Sequence, residues 1–347
     1  MSCASRLQFL SKVIKIKAII PVAGKGTRLR PHTFSTPKAL LHVAGKPILG
    51  HILDQVEELG ITEVVLILGY LGSKIKEYVE TEYSHMNFAF AYQEKKLGPG
   101  HAISLAKPFI EEGDEVLIIF GDTIFVGDLS QGLKLKNDAA LAVKRVEDPR
   151  RFGVVEMEND RVTDVVEKPD YVKPMDAMIG IYFIKNTKLL FEAIDEMIEN
   201  KRMTKGEFYL TDALKVMIEK DAYITTFQME GWFDCGKPET LLSTNRYLLE
   251  KKANGAVKVI KENTIIIPPV YIGKNVELKN SIIGPHVTIA DNAKIHTSII
   301  QDSIVNKNAL ISNAQLKESL IGENATVEDI VEKLNVGDNS QISFSGE

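Results

Sequence analysis

Two spacings of aliphatic residues divide this chain. From Lys17 to about Lys185, short β-branched runs alternate with stretches whose apolar residues recur every three or four positions. KAIIPVA (17–23), EVVLILG (63–69), FAFAYQ (88–93) and EVLIIFGD (115–122) read as strands. Between the first two, PILGHILDQVEELG sets Ile48, Leu49, Ile52, Leu53, Val56 and Leu59 on one helical face, with Pro47 at the first turn and Gly60 as the stop. This alternation predicts a three-layer α/β domain with a largely parallel sheet.

After Ala139 the strands AALAVKRV, FGVVEME, RVTDVVEK and AMIGIYFI follow closely, and helices return at KLLFEAIDEMIEN, FYLTDALKVMIEK and PETLLSTNRYLLEKK. EKKANGA, beginning at Glu250, has the composition of a polar linker, so the first domain is expected to close near residue 250. Beyond it the period is neither 2 nor 3.6. Ile272, Leu278, Ile283, Ile289, Ile295, Ile300, Val305, Ile311, Leu316, Ile321 and Val327 recur at steps of five or six, separated by Gly, Asn, Asp and small residues. That is a hexapeptide-repeat β-helix, with about four coils of roughly 18 residues expected over 264–334. Its similarity to known hexapeptide proteins implies a left-handed parallel coil. The expected division is an extension over 1–16, an α/β domain over 17–250 and the β-helix over 251–347.

Charge and cysteine usage narrow the function classes. The 42 basic and 47 acidic residues give a net charge of −5, which leaves no electrostatic footprint for nucleic acid or an anionic membrane. Cys3 and Cys235 stand far apart, so neither a disulfide framework nor clustered metal-ligand spacing is present, and a reducing cytoplasm fits. No apolar run approaches the roughly 20 residues that span a bilayer. The opening MSCASRLQFLSKVIKIK is basic and acid-free but lacks the apolar block and cleavage site of a secretory signal, and reads as an extension.

The candidate chemistry begins in GKGTRLRPHTFSTPK (24–38), a loop following the first strand. Gly24 and Gly26 let the backbone bend and bring N–H groups near phosphate oxygens. A dinucleotide fingerprint would need a small residue where Leu29 stands and an acid about 20 residues on, yet no Asp or Glu precedes Asp54. The spacing of a P-loop is also wrong. What remains is a glycine turn followed by Lys25, Arg28, Arg30 and Lys38 in an acid-free segment, which suits a polyphosphate.

G-x-G-T-R followed by P-K ten residues after the Arg resembles the signature of sugar-1-phosphate nucleotidylyltransferases, specifically the long glucose-1-phosphate thymidylyl- and uridylyltransferases. YQEKKLGPGHAI (92–103), FGDTIF (120–125), FGVVE (152–156), VVEKP (165–169) and GWFDCG (231–236) are similar to the family's further blocks and fall in its order. The resemblance implies a Rossmann-like three-layer nucleotidyltransferase domain with a mixed, mainly parallel sheet, and the C-terminal left-handed parallel β-helix of the longer members. It also implies Mg²⁺ as cofactor, held by Asp122 and Asp234, and a nucleoside triphosphate and a sugar 1-phosphate as partners. Two hard carboxylates with water and phosphate oxygens suit that ion. By the same resemblance Arg28 holds the β- and γ-phosphates, Lys38 sits between the α-phosphate and the sugar phosphate, and Lys168 grips the sugar phosphate. Ala23, Gly24, Gly26, Thr27, Gln93 and Gly98 would line the nucleotide, with Gly100 also permitting close backbone approach, and Gly153, Glu167, Gly180 and Trp232 the sugar.

In such a reaction a phosphate oxygen attacks the α-phosphorus in line and pyrophosphate leaves. The nucleophile is already an anion, so no general base is needed, and positioning with charge neutralisation does most of the work. Ala23 stands where many members carry Gly, and Thr123 where many carry Asn; neither removes a charge. Cys235 beside Asp234 reads as a small residue in a tight strand end rather than a redox switch. The resemblance favours dTTP or UTP with glucose 1-phosphate, with GTP and mannose 1-phosphate as runner-up. A non-catalytic regulatory subunit would be expected to lose catalytic groups that are all present here. His286 and His296 raise a second, acyltransferase activity, set against their simpler reading as exposed or satisfied side chains. β-Helices of the family commonly pack against neighbouring subunits, so the resemblance allows a homo-oligomer and leaves the oligomeric state open.

Overall fold

The computed structural model describes residues 15–173, 175–251 and 260–343. Residues 1–14 of the expected extension and 252–256 of the expected linker lie outside the described residues. The first apolar run forms β1 (Ile16–Pro21), and the small antiparallel pair β2 (His42–Val43) and β3 (Lys46–Pro47) leads into α1 (Ile48–Glu58). Pro47 is the residue just outside that helix, and Gly60 follows its end at φ 76°, a left-handed conformation in which glycine has no side chain to clash. Next come β4 (Glu63–Leu68), α2 (Gly72–Glu82), β5 (Asn87–Tyr92), α3 (Pro99–Ser104) and β6 (Glu115–Ile119). The run EVLIIFGD therefore stops being one strand at Ile119; a turn carries Asp122, and β7 (Thr123–Val126) begins elsewhere.

After α4 (Ser130–Lys134) come β8 (Ala139–Val146), β9 (Gly153–Glu158), β10 (Arg161–Glu167) and β11 (Met175–Ile184). Then α5 (Thr187–Glu199), α6 (Leu210–Glu219), β12 (Ile224–Gln228), β13 (Gly231–Asp234) and α7 (Pro238–Lys251) follow. The main sheet has nine strands, with β10, β9, β11, β6, β1, β4 and β5 side by side and β8 and β12 joined through β11. Its pairings run seven strands one way and only β10 and β11 the other, a mixed, mainly parallel sheet. Side chains alternate along β1 as a strand requires: Ala18 and Ile20 face the layer containing α1 and α7, while Ile19 faces that of α3, α5 and α6. All three are fully buried.

β11 shapes the site. Ile181–Ile184 pair with β6 and Asp176–Ala177 with β9, and the register against β8 shifts between Met178 and Tyr182. Gly180 stands in that shift at φ 83°. The irregularity falls where the strand lines a cavity described below, through Met178, Ile179, Gly180 and Tyr182.

In the C-terminal part, three parallel sheets of six, five and five short strands stack side on, agreeing with a left-handed parallel β-helix. Every one of the eleven periodic aliphatic residues is in its buried core. Two expectations change in detail. Strands run from Ile260 to Ser343 rather than over 264–334, and the register Ile260, Glu277, Lys294, Leu310, Thr326, Gln341 advances by 17 and then by 16 and 15 residues, not 18. The shorter pitch comes from five-residue steps whose corners hold left-handed residues, many of them Asn. Asn275, Asn292, Asn308, Asn324 and Asn339 bond side chain to side chain up one corner at 2.9–3.2 Å.

The two parts are joined through α7. Asn245, fully buried, accepts from the Ala44 N–H (2.9 Å) and the Thr288 hydroxyl (2.6 Å) and donates to the His286 carbonyl (3.2 Å). Arg246 pairs with Asp302 and Glu250 with His286. No helix among the described residues is long and apolar enough to cross a membrane.

Candidate active site

β13 pairs antiparallel with β7 as a separate two-stranded ribbon, with Asp234 opposite Thr123. The Cys235 N–H donates to the Asp122 carbonyl at 3.2 Å, so the ribbon brings Asp122 and Asp234 to one end. Phe125 is buried in the core beneath it and Trp232 packs edge-on against Phe152 at 4.7 Å, which fixes the ribbon on the sheet. Cys235 is wholly buried, and burial pushes its thiol up to about 12. A thiol in that state is inert, in agreement with its reading as a packing residue.

The ammonium of Lys38 reaches this point from the opening loop. It lies 3.0 Å from Asp122 Oδ2 and 4.0 Å from Asp234 Oδ1, and its side chain is only 11 % exposed. The loop folds as three single 3₁₀ turns, Thr27–Leu29, His32–Phe34 and Lys38–Leu40. Gly26 begins it at φ 60°, and a Cβ there would stand 3.0 Å from both Lys38 Cβ and Thr33 Cγ2, so the turn closes directly on the lysine. Arg28 Nη2 and Asp234 Oδ1 both crowd the position a Cβ on Gly236 would take, at 2.9 and 2.7 Å, which puts Arg28 beside the carboxylates. The other two cations of the loop lie against aromatic rings, Lys25 6.0 Å from the Tyr70 centroid and Arg30 4.7 Å from that of Phe34.

Two cavities meet at Asp122. One, of about 480 Å³, is lined by Arg28, Asp122, Gly153, Glu167, Lys168, Gly180, Trp232 and Asp234, among others. Here Lys168 takes a left-handed backbone at φ 47°, held by its N–H donating to the Phe152 carbonyl at 2.9 Å. Non-glycine residues in that region are strained and cluster at functional sites. Its ammonium bonds the Tyr209 hydroxyl and lies 3.6 Å from Glu167 Oε1. Glu167 is buried and accepts from the Thr211 hydroxyl at 2.6 Å, and burial holds its carboxyl above the usual range despite that bond and Lys168. Gly153 leaves room for Glu167, whose Oε2 would lie 2.8 Å from a Cβ there.

The second cavity, of about 390 Å³, is lined by Ala23, Gly24, Lys38, Gln93, Lys96, Gly98 and Glu207 with strand-end residues. Gln93 donates to the Gly98 carbonyl (2.9 Å) and to His101 Nδ1 (3.2 Å). Burial lowers the pKa of His101 and so favours the neutral ring, whose Nδ1 accepts from the Gln93 amide in the tautomer protonated at Nε2; both Gln93 contacts are made by its amide nitrogen. Gly98 stands at φ 105° with the Phe208 carbonyl 2.5 Å from where a Cβ would be, a close approach only glycine allows.

Most of the expected residues thus converge, with exceptions. Gly26 and Thr27 line neither cavity, and Arg28, expected at the nucleotide, lines the first cavity and not the second. The sequence reading missed Arg150, Arg151, Tyr209 and Thr211, which complete the first cavity. The only Arg-Arg pair in the chain was a visible signal; Tyr209, 41 residues from Lys168, offered none. Arg150 is tied back to Asp148 by two bonds of 2.9 and 2.7 Å. Among the described residues no three His, Cys, Asp or Glu side chains cluster. Asp122 and Asp234, 49 % and 31 % exposed, could together hold an ion that keeps water and phosphate ligands. His286 hydrogen-bonds Glu250 at 3.0 Å, whereas His296 Nε2 lies 3.3 Å from Glu277 Oε1 without forming a hydrogen bond.

The family model described as nucleotidyl transferase matches residues 17–251, and the chain belongs to that family. The bifunctional protein GlmU of Methanocaldococcus jannaschii is 39 % identical over 257 residues, 74 % of this chain and 60 % of that protein. Glucose-1-phosphate thymidylyltransferase of Streptomyces antibioticus is 31 % identical over 273 residues, 76 % of this chain and 75 % of its own. A solved structure from Bacillus anthracis, described as a glucose-1-phosphate thymidylyltransferase in complex with a sucrose, superposes with a TM-score of 0.60 at 27 % identity, covering 70 % of this chain and 98 % of that one. The chain spans about 60 % of the length of the curated relatives it matches first.

Proposed function

We propose that the chain is a sugar-1-phosphate nucleotidylyltransferase, with dTTP or UTP and glucose 1-phosphate as substrates and residues 17–250 as the catalytic unit. The observation that carries this reading is the placement of Lys38, Asp122 and Asp234 at the junction of two cavities of different chemistry. One is edged by glycine backbone and a fixed carboxamide, suited to a base and its phosphates. The other holds a buried carboxylate for hydroxyls and a pinned ammonium for a phosphate.

In the step itself a non-bridging oxygen of the sugar phosphate forms a bond to the α-phosphorus, and the bond from that phosphorus to the β-phosphate oxygen breaks. Pyrophosphate carries the electron pair away, so no proton moves. Lys168, fixed by Tyr209, holds the incoming phosphate, and Glu167 orients the sugar. Lys38 bridges the two reacting phosphates and Arg28 neutralises charge beside the carboxylates. Asp122 and Asp234 would hold Mg²⁺, which would supply further charge neutralisation on the phosphate oxygens. The relatives named for thymidylyl transfer to glucose 1-phosphate support the choice of sugar and base.

Incubation with Mg²⁺, each nucleoside triphosphate and a panel of sugar 1-phosphates should release pyrophosphate, fastest with glucose 1-phosphate and dTTP or UTP. Absence of pyrophosphate with every combination refutes the reading. Release only from GTP and mannose 1-phosphate refutes the substrate assignment alone.

A further inference from the structure

The loop that carries Arg28 and Lys38 has little backbone structure of its own. Between Thr27 and Leu40 it contains only isolated 3₁₀ turns, the weakest of helical segments. Its polar groups are tied instead to the far end of the chain. His32, 2 % exposed, donates from Nε2 to the Asn335 carboxamide oxygen at 2.7 Å. The Thr36 hydroxyl donates to Asp338 Oδ2 at 3.0 Å, and the Ser35 hydroxyl bonds the same oxygen. Pro31 lies against Gly337, where a Cβ would stand 3.0 Å from the proline ring.

Asp338 is itself fixed, because its second oxygen accepts from the Glu323 N–H at 2.8 Å. These contacts are not what fastens the β-helix, since α7 already holds it through Asn245, Arg246 and Glu250. The last coil therefore grips a segment that ends two residues before Lys38. We propose that Asn335 and Asp338 are positioning residues for nucleotidyl transfer, clamping Pro31–Thr36 so that Lys38 stands between the two carboxylates. This rests on the transfer reading above. It gives the β-helix a part in the chemistry that no residue of its own performs.

Full-length protein with Ser35→Ala and Thr36→Val loses both hydroxyls facing Asp338 while keeping the shape of Thr36. Its kcat for pyrophosphate release should fall roughly 10- to 100-fold, the cost of a misplacement of about 1 Å at the chemistry. KM for the triphosphate should change far less than kcat, within about twofold, since of the residues named in the nucleotide cavity only Lys38 is displaced. Thr36→Ser in the Ser35→Ala background restores one hydroxyl and should recover most of the loss. Hydrogen exchange supplies a readout without turnover. The Leu40 and Leu41 amides, bonded to the Pro37 and Lys38 carbonyls at 2.8 and 3.1 Å, should exchange at least about tenfold faster while strand amides of both parts do not change. Asp338→Asn, made from the other side, should lower kcat likewise and covers the case in which the double variant does not fold. Wild-type kcat with unchanged exchange overturns the inference. A loss of kcat matched by faster exchange throughout the molecule overturns it too, because the contact is then only structural. Failure of the transfer reading looks different: the wild type itself releases no pyrophosphate, and exchange at Leu40 and Leu41 still reports the clamp.

Discussion

Lys38 offers a quantitative test, because its ammonium occupies the ground between the carboxylates that would hold a divalent ion. At 3.0 Å from Asp122 Oδ2, with that carboxylate 49 % exposed, the attraction lies between the limits of bulk water and of about half that screening. Coulomb's law then gives about 1.4 to 2.8 kcal/mol. The contact at 4.0 Å to Asp234 adds less. A divalent ion must displace this ammonium from Asp122, so Lys38→Met should bind Mn²⁺ roughly 10- to 100-fold more tightly in the absence of nucleotide. The assay is the loss of the free Mn²⁺ paramagnetic resonance signal on titration with protein. Turnover should move the opposite way, falling about 100- to 1,000-fold, the usual result of deleting a group that neutralises transition-state charge. Unchanged or weaker Mn²⁺ binding in Lys38→Met would show that the two carboxylates are not the ion's ligands, whatever happened to the rate.

Two further outcomes follow from burial. Burial raises the pKa of Glu167, so the folded state holds that proton more tightly than the unfolded one and the buried carboxylate costs stability at neutral pH. Glu167→Gln keeps an acceptor for Thr211 and should melt no lower than wild type at pH 7.5, any gain vanishing as the pH falls below the carboxyl's unfolded value; KM for the sugar phosphate should rise about tenfold or more through a lost charge-assisted bond. Melting curves at several pH values and saturation kinetics check both, and a variant that melts lower only at neutral pH refutes the account. Cys235, with its thiol raised from 9.0 to about 12, has about a thousandfold less thiolate near pH 8 than an ordinary cysteine. Peptide mapping after iodoacetamide should find it unlabelled in the native protein and labelled in urea; native labelling would contradict its packing.

Much of the fold was written in local spacing. The five- and six-residue steps of Ile272 to Val327 have no other stable outcome than a coil that stacks them, and all eleven are in its core. The ends of the coil were harder to see, because Gln341–Ser343 brings only Ile342 to the interior. In the α/β part the strands were visible as apolar runs, but the break after Ile119 was not. Apolar pattern continues through FGDTIF while the backbone turns out of the sheet, and only the partner strand β13, over 100 residues away, gives Thr123–Val126 its ladder. The pairing of Asp122 with Asp234 was therefore available through resemblance and not through spacing.

The opening loop shows why charge counted along a sequence is a poor measure of charge at a site. Its four cations in fifteen residues suggested a uniformly basic cradle, yet two of them spend their charge on aromatic faces, Lys25 over Tyr70 and Arg30 over Phe34. The remaining pair is selected by the direction of the backbone. The turn at Gly26 sends Arg28 toward Gly236, and the turn after Pro37 drives Lys38 inward until it is nearly buried. The local turns do not act alone, because the stretch between the two cations is braced by Thr33 on the Gly26 carbonyl and by the last coil of the β-helix. A basic surface loop needs no such bracing, since solvated lysines do their work in any orientation. A loop held at both ends, with one lysine aimed between two carboxylates, has given up conformational freedom for position, and position is what the joining of two phosphates requires.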